Sequence, residues 1–485
     1  MRGNSHREGL EKKQLIEKIR KDRKTFIDIA ILAIILTLAV WMRVERLWIS
    51  NDDGIYLAAC GLIMKGYVPY RDFFLSQPPF FFWLVVGLWR IFNITDRFSM
   101  WFLGKFVNIL AFLGNSILLY FIGTRVFRKH IGGLLAVIFY QFSSYSFIFS
   151  IQFCPQVLAT FLALLSLTLV LLEISPLAVG FLLGLAVITR FSCFALVPIL
   201  FGYYLYRAHS QKKGKEEMIK ILTGFSLPLL LLLVFPVKDL WYSLVYFHSV
   251  KAEGAPFSLW HFEKLAELIS GEELQTLTGI AGATYLLTER NKKTTLLSLS
   301  ALSLLLPYFL EPVAAGHLLI ESAPFFALLT GIVLDSFPIQ EKKQYLALAL
   351  AAIMLIQGIQ YVSSFQQTLE FTRRWADNQR NVIMQLVGIV SKYTSPDEMI
   401  FCQMTNIGFL SGRPYPPIVD TSETARYADF FTTEMIEDSI IKYPIRLLIV
   451  TKVYAEELKE ILAIYHYALV ERADKGKYFV FLKLG

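Results

Sequence analysis

The sequence predicts a polytopic α-helical membrane protein of about 11 spans, with interfacial helices in its first outer loop and a C-terminal extracytoplasmic α/β domain. Three observations predict it. The 485 residues are 55% hydrophobic and only 18% charged, with a mean hydropathy of +0.51, whereas soluble chains carry about 25% charge. Apolar runs of membrane-crossing character recur as far as residue 363, and beyond it the composition becomes that of a soluble domain of about 120 residues.

The chain opens with a polar, basic tail, residues 1–25, expected in the cytoplasm. The apolar run after it ends in Arg43 and Glu45 without a small-residue cleavage site, so it reads as a span and not a cleaved signal. A helix needs about 20 apolar residues to cross the hydrocarbon. The spans expected are 26–43, 101–123, 131–149, 156–173, 176–189, 191–206, 219–236, 272–288, 296–310, 318–334 and 344–363. Segment 79–94, PFFFWLVVGLWRIFNI, is a twelfth apolar run, and charge decides its place. If it lies in the interface, the tail and loops 124–130, 207–220, 289–295 and 335–343 all face the cytoplasm and hold 22 Lys and Arg, against 4 in the short outer segments. If it crossed, 13 of the 22 would move outside, against the positive-inside rule. Trp83, Trp89 and Arg90 also suit an interfacial helix. The expected topology therefore has the N-terminus inside and residues 364–485 outside.

In that outer domain, Val382, Leu386 and Val390 fall at helical spacing. MIFCQM (399–404), RLLIVTK (446–452) and YFVFLKL (478–484) read as strands, and AEELKEILAIY (455–465) as a helix. The domain has no Gly-rich phosphate loop and no evident catalytic constellation, so it reads as a docking or lid domain. The four cysteines, Cys60, Cys154, Cys193 and Cys402, show no metal or redox spacing. The basic excess sits in short loops between apolar runs, which argues against nucleic-acid binding. No internal repeat of the kind many transporters carry is visible.

The polar chemistry gathers in the first outer loop, 44–100, within ISNDDGIYLAACGLIMKGYVPYRDFFLSQPP (49–79). Asp52 and Asp53 precede a helical stretch that ends at Gly66, an ordinary capping pattern. One acid would satisfy a cap, yet there are two, with a third at Asp72. Carboxylates near lipid are costly and tend to mark function.

The pattern of two acids, an aromatic, a glycine, an Asp-containing turn and Pro-Pro resembles the first outer loop of GT-C fold membrane glycosyltransferases related to protein O-mannosyltransferases and aminoarabinose transferases. Two further patches share the resemblance: GFLLGLAVITRFS (180–192), with its arginine in a short span, and HLLIESAPFFALLTG (317–331). In layout the likeness covers most of residues 26–363, the expected catalytic domain.

The resemblance implies inverting transfer of a sugar (a hexose or pentose) from a polyprenyl-phosphate carrier to an acceptor at the outer face of the plasma membrane. The acceptor is a lipid, glycan or protein; the sequence does not choose among them. An acceptor hydroxyl needs a carboxylate base, and a departing phosphate needs a fixed cation. Asp52 aligns with the family's base. Asp53 and Asp72 would orient the acceptor, or ligate a divalent metal if one takes part; no cofactor is otherwise implied. Arg190, His317 and Arg71 are the candidates for the carrier phosphate, with Arg71 also placed to pair with Asp72. Gln77 stands where many relatives have a lysine before Pro-Pro, so that point brings no charge. The aromatic, amphipathic segment 237–271 reads as a wall of the carrier groove or as a surface anchor. The competing class is a transporter or flippase for a lipid-linked solute, which should carry ionisable residues within its spans; Lys105 and Asn108 are the exceptions to an otherwise bare set. An inert scaffold would tolerate replacement of the loop acids.

Overall fold

The computed structural model describes residues 26–49, 52–210, 214–250, 274–288, 291–310, 319–336, 344–421, 425 and 431–484. Helices dominate as far as residue 393. Four of those described are long and apolar enough to cross a membrane: α1 (Phe26–Val44), the run Arg97–Val126, the run Phe191–Ser210 and the run Gly214–Val234. Between α1 and the second long run lie α2 (Asp53–Met64) and α3 (Phe80–Ile91). At 1.5 Å per residue the 12 residues of α3 extend about 18 Å, short of a hydrocarbon core of about 30 Å. The second run starts with α4 (Arg97–Phe121), whose first turn is capped by the Asp96 carboxylate, which accepts from Ser99 N at 2.7 Å.

Segment 131–149, expected as one span, is broken. Helices α5 (His130–Gln141) and α6 (Ser144–Ser150) meet at 65°. A bend in an apolar setting must leave no carbonyl unpaired, and Arg43 of α1 supplies the donors. Its Nη2 donates to the Gln141 carbonyl at 3.0 Å and its Nε to Ser150 Oγ at 2.6 Å. The guanidinium lies over the rings of Phe112 and Phe147, 4.2 and 4.7 Å from their centroids.

Next come α7 (Gln156–Leu171), α8 (Pro176–Thr189), a 3-10 turn (Phe191–Leu196), α9 (Val197–Ser210) and α10 (Gly214–Leu229). Glycines set the closest approach of α8 to α10. A Cβ on Gly180 would stand 2.1 Å from the Ile221 carbonyl, and one on Gly224 the same distance from that of Leu177. Lipid offers no hydrophobic drive for such packing, so backbone proximity has to supply it. Short helices α11 (Val237–Trp241) and α12 (Phe247–Val250) precede α13 (Leu274–Thr288), α14 (Lys292–Leu310) and α15 (Ala323–Ser336).

The last long helix, α16 (Gln344–Tyr393), runs 50 residues without a break. It passes through position 364, so the change in composition falls inside one helix. Val382, Leu386 and Val390 of its second half are buried, as their spacing predicts. The α/β unit that follows holds β1 (Met399–Cys402), α17 (Thr405–Leu410), α18 (Thr433–Lys442), β2 (Ile445–Thr451), α19 (Lys452–Glu457), α20 (Lys459–Ile464), β3 (Tyr467–Ala473) and β4 (Tyr478–Lys483). The helix expected over 455–465 is thus two short ones. Strand β3, charged at Glu471 and Arg472 and at the sheet's edge, has too little apolar alternation to be read from sequence.

The sheet order is β1-β2-β4-β3, with β1 and β2 parallel and the other pairs antiparallel. In β2 the two faces alternate with period 2. Leu448 and Val450 join Ile436, Ile440 and Leu458 on one side, whereas Leu447 and Ile449 share a core with Leu386 and Val390 of α16. That larger core continues without interruption into the helical part, including α2 and α3.

The expected outcome of Gly180→Val is separation of α8 from α10, costing about 1–3 kcal/mol. A thermal-unfolding midpoint in detergent below that of the parent protein checks it.

Candidate active site

Segment 44–100 is organised by one buried ion pair. Asp53, in the first turn of α2, is 1% exposed. Its Oδ2 meets Lys105 Nζ of α4 at 2.5 Å and accepts from Trp101 Nε1 at 3.1 Å, while Oδ1 accepts from Phe153 N at 2.8 Å. Lys105 also donates to the Ile49 carbonyl and lies 4.4 Å from the Trp101 ring centroid. Both charges are fully paired and sealed from solvent. Asp53, expected from the sequence to orient the acceptor or ligate a metal, is placed by these contacts as an anchor of α2 on α4 and on the 150–155 segment.

Nor does either acid act as a cap. Asp52 occupies the N-cap position of α2 without a side-chain capping bond, and it stays partly accessible where Asp53 is not. The other end behaves as the sequence suggests, with the chain leaving α2 through Gly66 at φ +93°.

Asp72 belongs to a turn. Its Oδ2 accepts from Val68 N at 2.7 Å, and Arg71 donates to both of its oxygens at 2.9 and 3.0 Å. The Arg71 hydrogen bonds, then that from Val68 N, hold the Asp72 carboxyl below its ordinary range. The turn also places Tyr70 at φ +66°, from which its hydroxyl donates to the Gln77 carbonyl at 2.7 Å. Asp72 and Arg71 thus pair with each other and hold the turn. Gln77 contributes its backbone to that turn and is half-buried. His317 lies outside the described residues.

Arg190 terminates α8 in extended conformation, φ −158° and ψ 127°, and is 5% exposed. Its Nε donates to Ser192 Oγ at 3.1 Å and is paired with Glu321 Oε1; Ser192 Oγ donates to the same Oε1 at 2.8 Å. Among the described residues no acceptor meets Nη1 or Nη2. The guanidinium is therefore clamped along one edge and presents the other. Glu321, which sequence reasoning missed, is the clamp. Its signal was an acid inside the quoted apolar patch HLLIESAPFF.

Tyr56, one turn into α2, links the two candidate groups. Its phenol is held well above its ordinary value by burial first and then by the charge of Asp52, while Arg190 pulls it down. Cys154 is pushed up by burial and by Asp53, relieved by Arg190, and raised further by Asp52. Asp52 and Arg190, more than a hundred positions apart in the chain, thus act on the same two side chains. The C-terminal unit reaches this place as well. Asp420, 6% exposed, adds its charge at Tyr56. Tyr415 donates to the Ala58 carbonyl at 3.0 Å, and a Cβ on Gly54 would meet Thr405 Oγ1 at 3.1 Å. Beside Cys154, Gln152 Nε2 and Gln156 Oε1 are buried without protein partners among the described residues.

Among the described residues, no three His, Cys, Asp or Glu are grouped to hold a metal ion. Two hollows of about 420 and 760 Å³ lie elsewhere, one against Tyr203, Lys292 and Lys293 and one against Tyr206, His209 and Lys215. All four cysteines are buried and free.

Residues 76–237 match the family model described as dolichyl-phosphate-mannose-protein mannosyltransferase. The structure is similar to that of apo ArnT from Cupriavidus metallidurans, with a TM-score of 0.66 and 11% identity over 93% of this chain and 97% of that one. The chain has the GT-C fold. ArnT bound to undecaprenyl phosphate is similar at a TM-score of 0.65 and 12% identity, covering 93% and 98% of the two chains. The archaeal oligosaccharyltransferase AglB from Archaeoglobus fulgidus, in complex with an inhibitory peptide and a dolichol-phosphate, has a TM-score of 0.55 and 12% identity, covering 95% and 74%. No curated protein sequence matches the chain. With its apolar helices, this fold makes the chain a polytopic membrane protein.

Replacing Lys105 by Met strands the Asp53 carboxylate in the core. Loss of one partner of a buried pair costs about 3–5 kcal/mol, so Lys105→Met is expected to lower the thermal midpoint sharply. Adding Asp53→Leu should restore much of it.

Proposed function

We propose that the chain transfers a sugar from a polyprenyl-phosphate carrier to an acceptor at the outer face of the plasma membrane, with inversion at the anomeric carbon. The observation that carries this reading is the geometry of Arg190. It is clamped through Nε by Glu321 and Ser192, its Nη1 and Nη2 meet no acceptor among the described residues, and it acts on the same Tyr56 as Asp52. That arrangement suits a phosphate that gains charge as it leaves.

Asp52 takes the proton of the acceptor hydroxyl as its oxygen attacks the anomeric carbon. The bond from that carbon to the phosphate oxygen breaks, and the departing polyprenyl phosphate is received by Nη1 and Nη2 of Arg190. Tyr56, on which the charges of Asp52, Arg190 and Asp420 all act, is the side chain that the two groups share. Likeness in fold to a protein solved with undecaprenyl phosphate, and to one solved with a dolichol-phosphate, supports a carrier of this class. The matching family, by its description, uses a dolichyl-phosphate sugar.

The arrangement of the chain follows from the charge pattern: eleven spans within 26–363, the tail 1–25 inside, and 364–485 outside. On this reading the C-terminal unit roofs the site through Tyr415 and Thr405 and thereby helps shape the acceptor side.

Asp52→Asn keeps size and removes the base. In purified protein supplied with a polyprenyl-phosphate sugar and a panel of acceptors, it is expected to lower transfer by about 10²–10⁴-fold with the carrier still bound; wild-type turnover would exclude Asp52 as base. Arg190→Lys keeps a cation for Glu321 but loses the planar fork. Its expected effect is weaker carrier binding with an unchanged fold, and a carrier affinity equal to the parent's would remove Arg190 from the phosphate site.

A further inference from the structure

Glu321 stands in the turn before α15 and is 0% exposed. Its Oε1 is taken by Arg190 and Ser192, and its Oε2 is buried with no donor among the described residues. Two consequences follow. A carboxylate sealed in this way cannot touch a substrate, so any part it has in the reaction acts through Arg190. And because Ser192 is neutral, Arg190 is the cation that balances Glu321 among the described contacts, just as Glu321 is the anion that balances Arg190.

An unpaired guanidinium in a site that is 5% exposed would hold a phosphate with the strength of a full charge at low dielectric. Paired with Glu321, it keeps two directed donors at Nη1 and Nη2 and loses most of its net charge. The donors recognise the phosphate; the missing charge lets it go. A carrier-dependent transferase needs both, since the spent carrier must leave before the next one enters, and product release limits many turnover rates.

We propose that Glu321 is a positioning residue that orients Arg190 through Nε and, by cancelling its charge, sets how readily spent polyprenyl phosphate leaves. This rests on the phosphate role given to Arg190 above. It predicts a direction that mere support of the fold does not: removing the acid should tighten the carrier, whereas damage to the fold would loosen it.

The test uses the full chain in lipid nanodiscs, with bare polyprenyl phosphate as the probe, measured by direct binding and as a product inhibitor of transfer. Glu321→Gln is expected to lower the dissociation constant and the inhibition constant together by about tenfold or more, and to lower kcat without raising KM for the lipid-linked sugar. If the glutamine variant does not fold, Glu321→Met, of similar length and with no hydrogen bond to satisfy, reads the same quantity. Asp335→Asn removes an acid at the far end of α15, where it accepts from Gly132 N, and should leave the affinity near that of the parent. Unchanged or weaker binding in the Glu321 variants, or equal tightening in Asp335→Asn, overturns the proposal. A parent protein that does not bind polyprenyl phosphate overturns the carrier reading itself, and this inference with it.

Discussion

The ion pair between Asp53 and Lys105 determines where segment 44–100 can lie. A carboxylate and an ammonium removed from water each lose several kcal/mol of hydration, recovered only when they meet at close range with their remaining valences filled. Here Trp101, Phe153 N and the Ile49 carbonyl fill them. The result ties three parts of the chain to one point: the start of α2, the first turns of α4, and the segment leading into α7. Asp52 is carried along as the neighbour of a group that cannot move. For the base proposed at Asp52, which must reach a hydroxyl within hydrogen-bond distance, a rigid helix start holds it better than a free loop.

A second buried pair does similar work on the other side. Arg190 interrupts the helical run between α8 and α9, and the extended backbone there turns its side chain toward the start of α15. The two pairs differ in what they leave over. The Asp53–Lys105 pair is closed on all sides, whereas Arg190 keeps one edge of its guanidinium unclaimed among the described residues. Closure suits an anchor, and an open edge suits a ligand site. Asp72 is likewise engaged within its own turn, by Arg71 and Val68 N.

The α/β unit does more than hang from the membrane part. Leu447 and Ile449 of β2 share one core with α16 and with α2. Tyr415 fits against Gly61, where a Cβ would come within 2.3 Å of its hydroxyl. The contact explains the glycine at that place in the opening stretch: a larger residue would hold the roof off the helix. Asp420 of the same unit adds its charge at Tyr56 of α2.

Much of this protein is legible from the chain alone. Its membrane class, most helix positions, strands β1, β2 and β4, and the burial of Val382, Leu386 and Val390 all depend on local windows, because hydropathy and periodicity act over a few turns. Which charges meet is another matter. Asp52 and Asp53 are adjacent and chemically alike, yet packing sent one into the core and left the other accessible, and the place of Glu321 shows only once Arg190 is beside it. Partners so far apart in sequence are chosen by which helices touch, and the cost of burying an uncompensated charge then decides the pairing. That cost is a property of the assembled interior, so only the tertiary structure could assign it.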